Sequence, residues 1–130
     1  MAQLIEAVRA YLRGIEQGDL PAVLACYAPG AVQIEWPNRL KATGDRRGLE
    51  QLTADFQRGR GLLATQSYEV LGFAEAPDYV LVELLWTGLL AVPLGKLPAG
   101  AEMIAHSAVA FNFSDGLIIA QRNYDCFEPL

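Results

Sequence analysis

Glu35 closes a short apolar run, with Ile34 before it and Trp36 after it, and a carboxylate in such surroundings has the makings of a base. In an apolar pocket desolvation disfavours the charged form, which raises the affinity for a proton and brings the group into a useful range near neutral pH. Tyr11 supplies the complementary chemistry, since a hydroxyl aimed into the same pocket holds negative charge as it develops on a substrate oxygen, most effectively where water is excluded. Asn123 and Asp125 stand two apart, so on a regular strand they share one face and add an amide and a further carboxylate. His106 is the only histidine, and sites that need two or three histidines for zinc or non-haem iron cannot be assembled from one chain. No metal is expected. A GxxxxGK loop followed by Ser or Thr is missing, as is a GxGxxG after a strand, so nucleotide use has no support and no cofactor is expected.

These side chains have to be positioned by one domain, because 130 residues is the size of a single core. Apolar residues make up 52% and charged ones 19%, a balance that folds and does not read as a disordered tail. Ten Lys and Arg against fifteen Asp and Glu leave a net charge of -5, which repels phosphate backbones and argues against nucleic-acid binding. The mean hydropathy of +0.20 is high for so small a domain and points to apolar surface beyond one ordinary core, in a cavity lining or a subunit interface. The stretch from Leu84 to Leu97 is broken by Gly88, Pro93 and Gly95 and is too short to span a bilayer. Gln3, Glu6, Arg9 and Arg13 interrupt the N-terminus where a signal peptide needs an apolar run, so the expected location is cytoplasmic. Cys26 and Cys126 are far apart and read as two buried free thiols.

Leu4, Ile5, Val8, Leu12 and Ile15 recur at three and four residues and predict a helix from about Ala2 to Gln17, ended by Gly18. Asp19 predicts the N-cap of a second helix with Val23, Leu24 and Tyr27 buried, running to Ala28-Pro29-Gly30. Ala31 to Trp36 alternates as a short strand, with Val32 and Ile34 on one side and Gln33 and Glu35 on the other. Asn38 to Arg47 reads as a polar stretch, and with Arg58 and Arg60 it carries six of the ten basic residues, expected in solvent. A third helix over about Leu49 to Arg58 precedes strands at Thr65 to Ala74, Tyr79 to Ala91, Ala101 to Phe113 and Leu117 to Cys126. Helices first and antiparallel strands afterwards give an α+β domain with helices covering one face of a curved sheet. Two of the strands are apolar at nearly every position, so the other face is expected to pack on a second subunit, giving a homodimer.

Tyr11, Gly18-Asp19-Leu20 and Glu35-Trp36-Pro37 resemble the first third of the ketosteroid isomerases. Leu85-Trp86-Thr87-Gly88, Pro98-Ala99-Gly100, Ser114-Asp115-Gly116 and Arg122-Asn123-Tyr124-Asp125 resemble the SnoaL-like polyketide cyclases and the limonene epoxide hydrolases. All belong to the nuclear transport factor two-like superfamily, with its cystatin-like fold, and the resemblance implies a cone-shaped curved sheet wrapped around three helices and enclosing a pocket. It also implies that Tyr11 donates to an enolate oxygen and that Glu35 moves the proton. Val109 stands where the isomerases keep an aspartic acid as second donor, and Asn123 where the cyclases and epoxide hydrolases keep an acid, a loss that Asp125 can make good from the same face.

The resulting expectation is a pocket for a small hydrophobic carbonyl compound of the polyketide or steroid kind, with isomerisation or aldol cyclisation as the reaction. Tyr11, Glu35, Asn123 and Asp125 are the candidate catalytic residues, and Trp36, Trp86, Val109, Phe111 and His106 the candidate substrate-binding ones. His106 alternates out of step with Ser107, Val109 and Phe111, so it reaches the pocket only if a bulge reverses the register and otherwise faces the dimer side. A non-catalytic ligand-binding or dimerisation module is the rival reading. A hydrolase or dehydratase using Asp125 and water is the third, and it requires Asp125 inside the cavity with a second polar group to hold that water.

Overall fold

A computed structural model describes residues 3–130. The N-terminal stripe folds as α1 (Leu4–Gln17), with Ile5, Val8, Tyr11 and Leu12 buried, and Gly18 ends it in the left-handed conformation. Ala2, where the sequence would start this helix, lies outside the described residues. At its N-terminus the Ile5 amide donates to the Glu75 carboxylate, so an acid from a distant strand takes up one of the helix's free amides.

Asp19 caps α2 (Leu20–Leu24) through the Ala22 amide, but this helix is shorter than the sequence suggests. Tyr27, expected on its buried face, opens β1 (Tyr27–Glu35) instead, because the Gly30 turn at positive φ lets the chain bulge and still pair. Part of the expected polar stretch is β2 (Asp45–Arg47), an edge strand antiparallel to β1. Gly44 makes the hairpin possible: its φ is +64°, and a Cβ there would collide with the Glu35 carbonyl and the Pro37 nitrogen.

After α3 (Leu49–Arg58) come β3 (Leu63–Ala76), β4 (Tyr79–Leu90), β5 (Glu102–Ser114) and β6 (Leu117–Phe127). They form an antiparallel meander, and β1 joins it alongside β6 in parallel, giving the order β2-β1-β6-β5-β4-β3. Register shifts between Val70 and Gly72 and between Asn112 and Phe113 bend the sheet around the helices into an open cone. Val80, Val82, Leu84, Phe111 and Ile118 pack from the concave face onto Ile5, Val8 and Leu12 to form the core. The shift beside Ile119 decides the chemistry of β6, since it leaves Ile118 in the core yet turns Gln121 inward as well, with Asn123 and Asp125 following on the same face. Cys26 is half-buried and Cys126 exposed, so Cys126 is not the buried thiol that composition suggests. Cys126 belongs to the outer face of β6. Among the described residues no helix is long and apolar enough to cross a membrane.

Candidate functional site

The concave face of the cone closes over a cavity of about 240 Å³. Tyr11 reaches it from α1, Trp86 from β4, Ser107, Val109 and Phe111 from β5, and Gln121, Asn123 and Asp125 from β6. Alternation along the last two strands is what brings these groups together, because every second side chain of each points inward. Six of the nine residues singled out from the sequence therefore share one cavity.

The other three lie elsewhere. His106 points to the outer face of β5, 59% exposed, where it meets Glu128 at 2.8 Å; the strand stays regular there and no bulge turns it inward. Trp36 is 41% exposed and tilts against Tyr124 with ring centroids 6.1 Å apart. Glu35 lines a shallow surface hollow with Trp36 and Pro37, and its carboxylate is not in an apolar setting. One oxygen takes the Arg47 guanidinium at 2.6 Å and the other the Asn38 amide at 2.7 Å. The polar side of β1 turns inward, opposite to the side an amphipathic strand would bury, because Arg47 is there to receive it.

Within the cavity the polar groups divide into two sets. Ser107 Oγ donates to Asp125 Oδ1 at 2.7 Å, leaving Oδ2 for the cavity. Burial pushes the Asp125 carboxyl above its ordinary range, and the nearby Glu35 charge adds to this, while the Ser107 hydrogen bond pulls the other way. The second set centres on Gln121, only 2% exposed. Its Nε2 donates to the Tyr11 hydroxyl at 3.2 Å and to Asn123 Oδ1 at 2.9 Å, and its Oε1 accepts from Tyr27. With its oxygen taken, Asn123 has its Nδ2 donor left for the cavity. Tyr11 packs edge-on against Phe111 and Tyr27, and burial raises its pKa against the pull of its hydrogen bonds to Tyr27 and Gln121. It is a neutral donor at physiological pH.

The sequence did not single out Arg47, Gln33, Tyr27, Gln121 or Ser107 as site residues. For Gln121 a signal exists, since Gln121, Asn123 and Asp125 stand at alternate positions of one strand with Arg122 as the only other charged or amide residue, whereas Arg47 looks like any member of a basic run. A larger open groove of about 440 Å³ lies between the ends of α1 and α3 and the start of β3. It gathers no free acid or base: Glu16 accepts the Tyr68 amide, Asp55 is engaged by Arg47, and Arg60 sits over the Phe56 ring. Among the described residues no group of three or more His, Cys, Asp or Glu side chains is placed to hold a metal ion.

Residues 8–121 match the sequence model of the SnoaL-like domain. No curated protein matches the chain. Among solved structures, IdmH of Streptomyces antibioticus, provisionally assigned as a polyketide cyclase, is 18% identical with a TM-score of 0.79, over 95% of this chain and 92% of that one. An LEH-like epoxide hydrolase of M. tuberculosis is 20% identical with a TM-score of 0.71, over 96% and 82%. An NTF-2 like protein of Burkholderia xenovorans is 18% identical with a TM-score of 0.67, over 98% and 84%. At these identities the likeness is one of fold.

The raised Asp125 pKa has a consequence for stability. The native chain holds this proton more tightly than the unfolded chain, so stability falls as pH rises from the ordinary value of 3.8 through the raised one, and stays lower above it. Thermal melts of Asp125→Asn are expected to lack this loss, making the variant at least as stable as wild type at pH 7 when the two are matched at pH 4. A carboxyl-carbon NMR titration of Ser107→Ala should place the Asp125 midpoint higher than in wild type.

Proposed function

The chain belongs to the SnoaL-like domain family, and on that premise we propose that it is an acid-base enzyme for a small hydrophobic carbonyl compound of the polyketide or steroid kind. One observation carries this reading: a carboxylate of raised pKa has a free oxygen in the same small cavity as two hydrogen-bond donors, Tyr11 and Asn123. Asn123 and Asp125 are about 7 Å apart along β6 at ~3.4 Å per residue, room for a carbonyl oxygen at one end and the neighbouring C–H at the other.

In this reading Asp125 Oδ2 removes the proton from the carbon next to the carbonyl, and the electron pair moves onto the oxygen, where Tyr11 and Asn123 stabilise the enolate. Return of the same proton to a different carbon completes an isomerisation. Alternatively, the enolate carbon attacks a second carbonyl of the substrate, and the new alkoxide takes the proton from Asp125 to complete an aldol cyclisation. Glu35, held by Arg47, has no part in the transfer. The walls supplied by Trp86, Val109 and Phe111 favour a flat apolar ring.

A second reading has its own support, since Asp125 and Asn123 side by side can also hold and activate a water molecule, as hydrolysis or dehydration requires. The rival, a binding module without chemistry, predicts ligand binding but no proton exchange. We further propose that the outer face of the sheet pairs two copies, a reading supported by Leu81 and Tyr124, which stand 39% and 44% exposed there.

Deuterium incorporation at the carbon beside the carbonyl of a bicyclic aromatic ketone, followed by proton NMR, tests the chemistry. Wild type is expected to catalyse it, Asp125→Asn to lose about 100-fold or more, and Glu35→Gln to stay within a few-fold of wild type. Exchange that survives Asp125→Asn would remove Asp125 from the mechanism. Sedimentation velocity is expected to show a dimer for wild type and a monomer for Ala108→Arg, whose new guanidinium lies opposite Glu83 and Tyr124 on the outer face. A monomeric wild type would exclude the pairing.

A further inference from the structure

Arg47 is 9% exposed, too deep for a solvated cation, yet it lies outside the cavity that holds Asp125. Its Nε donates to Asp55 at 2.7 Å and its NH2 to Glu35 at 2.6 Å, which accounts for its charge. The remaining arm, NH1, donates to Gln33 Oε1 at 2.9 Å, inside a second cavity of about 230 Å³ beneath α2 and α3 that shares Tyr11 as a wall with the first. A guanidinium has donors only, so Gln33 must present its oxygen to Arg47 and its amide hydrogens to the other side. There Nε2 donates to the Tyr27 hydroxyl at 3.3 Å. The Tyr27 oxygen is thereby an acceptor, and its single proton goes to Gln121 Oε1 at 2.5 Å, the shorter of its two hydroxyl contacts, with Tyr11 3.0 Å away. Gln121 Nε2 in turn donates to the Tyr11 oxygen at 3.2 Å and to Asn123 Oδ1 at 2.9 Å, so both cavity donors stand at the end of one run of hydrogen bonds.

We propose that Arg47 and Gln33 are positioning residues for the reaction: a one-way hydrogen-bond chain, Arg47 to Gln33 to Tyr27 to Gln121, ends on Tyr11 and Asn123 and readies their remaining protons for an oxyanion in the cavity. Each donor in the chain polarises the next, so a cation buried on the far side of the tyrosines strengthens a neutral donor that it never touches. The chain has the right sense for an enolate, because each bond in it donates towards the cavity and negative charge on the ligand is met by the Tyr11 and Asn123 donors at its end. Gln121 fixes the direction, since its oxygen is taken by Tyr27 and its amide hydrogens by Tyr11 and Asn123. This inference rests on the proposed use of Tyr11 as an oxyanion donor and names residues on which that use depends.

The test is a double-mutant cycle on binding of a hydroxynaphthalene, with the ionised fraction of the bound ligand read from its red-shifted absorption. Gln33→Met cuts the chain and keeps the ion pairs of Arg47 with Glu35, Asp45 and Asp55, so it is preferred to Arg47→Met, and its thermal melt is recorded beside wild type. Gln33→Met is expected to weaken binding about threefold to tenfold and to lower the ionised fraction. In a Tyr11→Phe background the same change is expected to have a clearly smaller effect on both, because one of the two ends of the chain has been removed. A Gln33→Met protein with wild-type affinity and ionised fraction overturns the inference, and so does an equal loss in the Tyr11→Phe background, which would mark a merely structural role. Failure of wild type to bind any hydroxynaphthalene overturns the proposed function and this inference with it.

Discussion

A buried guanidinium has to be neutralised where it sits, and in this chain that requirement organises three elements at once. Arg47 belongs to the edge strand β2, Glu35 to β1 and Asp55 to α3, and all three meet at hydrogen-bonding distance. Removing one partner of such a cluster leaves charge without compensation, which typically costs about 3 to 5 kcal/mol. The arrangement explains why α3, which has no fully buried residue, nevertheless stays on the sheet. It also explains why the polar side of β1 faces inward and why Gly44 must turn so tightly, since any other residue there would push β2 off β1 and Arg47 away from Glu35.

The cavity is organised by the opposite principle. Its walls are largely apolar, and Asp125, Asn123 and Tyr11 are each held by a protein partner while one function is kept free: Oδ2 of Asp125, Nδ2 of Asn123 and the Tyr11 proton. Such preorganisation lets a site act on developing charge without reorganising at the moment of reaction. The two carboxylates first considered for proton transfer are separated by environment alone, one desolvated beside a serine and the other paired with a cation. The carboxylate suited to be a base is the one its surroundings leave unpaired.

Much of the architecture is legible in the sequence because it follows from periodicity. The helices at Leu4–Gln17 and Leu49–Arg58 and the four long strands appear close to where apolar spacing and turn residues put them. Alternation likewise places Ser107, Val109 and Phe111 on one face and His106 on the other, as the structure shows. Tyr27 and Arg47 are different in kind. A bulged strand entered through Gly30 carries no periodic signal, and a basic residue in a run of basic residues looks solvated until the acids that neutralise it are brought in from 12 and 8 positions away. Glu35 shows the same limit from the acidic side: its sequence neighbours are apolar, but its spatial neighbours are Arg47 and Asn38.

The central claim is that the cavity lined by Tyr11, Asn123, Asp125 and Trp86 receives the ligand's oxygen. Nitrogen-15 NMR of the side-chain amides and indoles tests it directly when a hydroxynaphthalene is titrated into the protein. The account predicts large shifts for Asn123 Nδ2 and for the Trp86 indole, which now donates to Gln66, with Trp36 unmoved. Shifts confined to Trp36, or at neither tryptophan and not at Asn123, would contradict it.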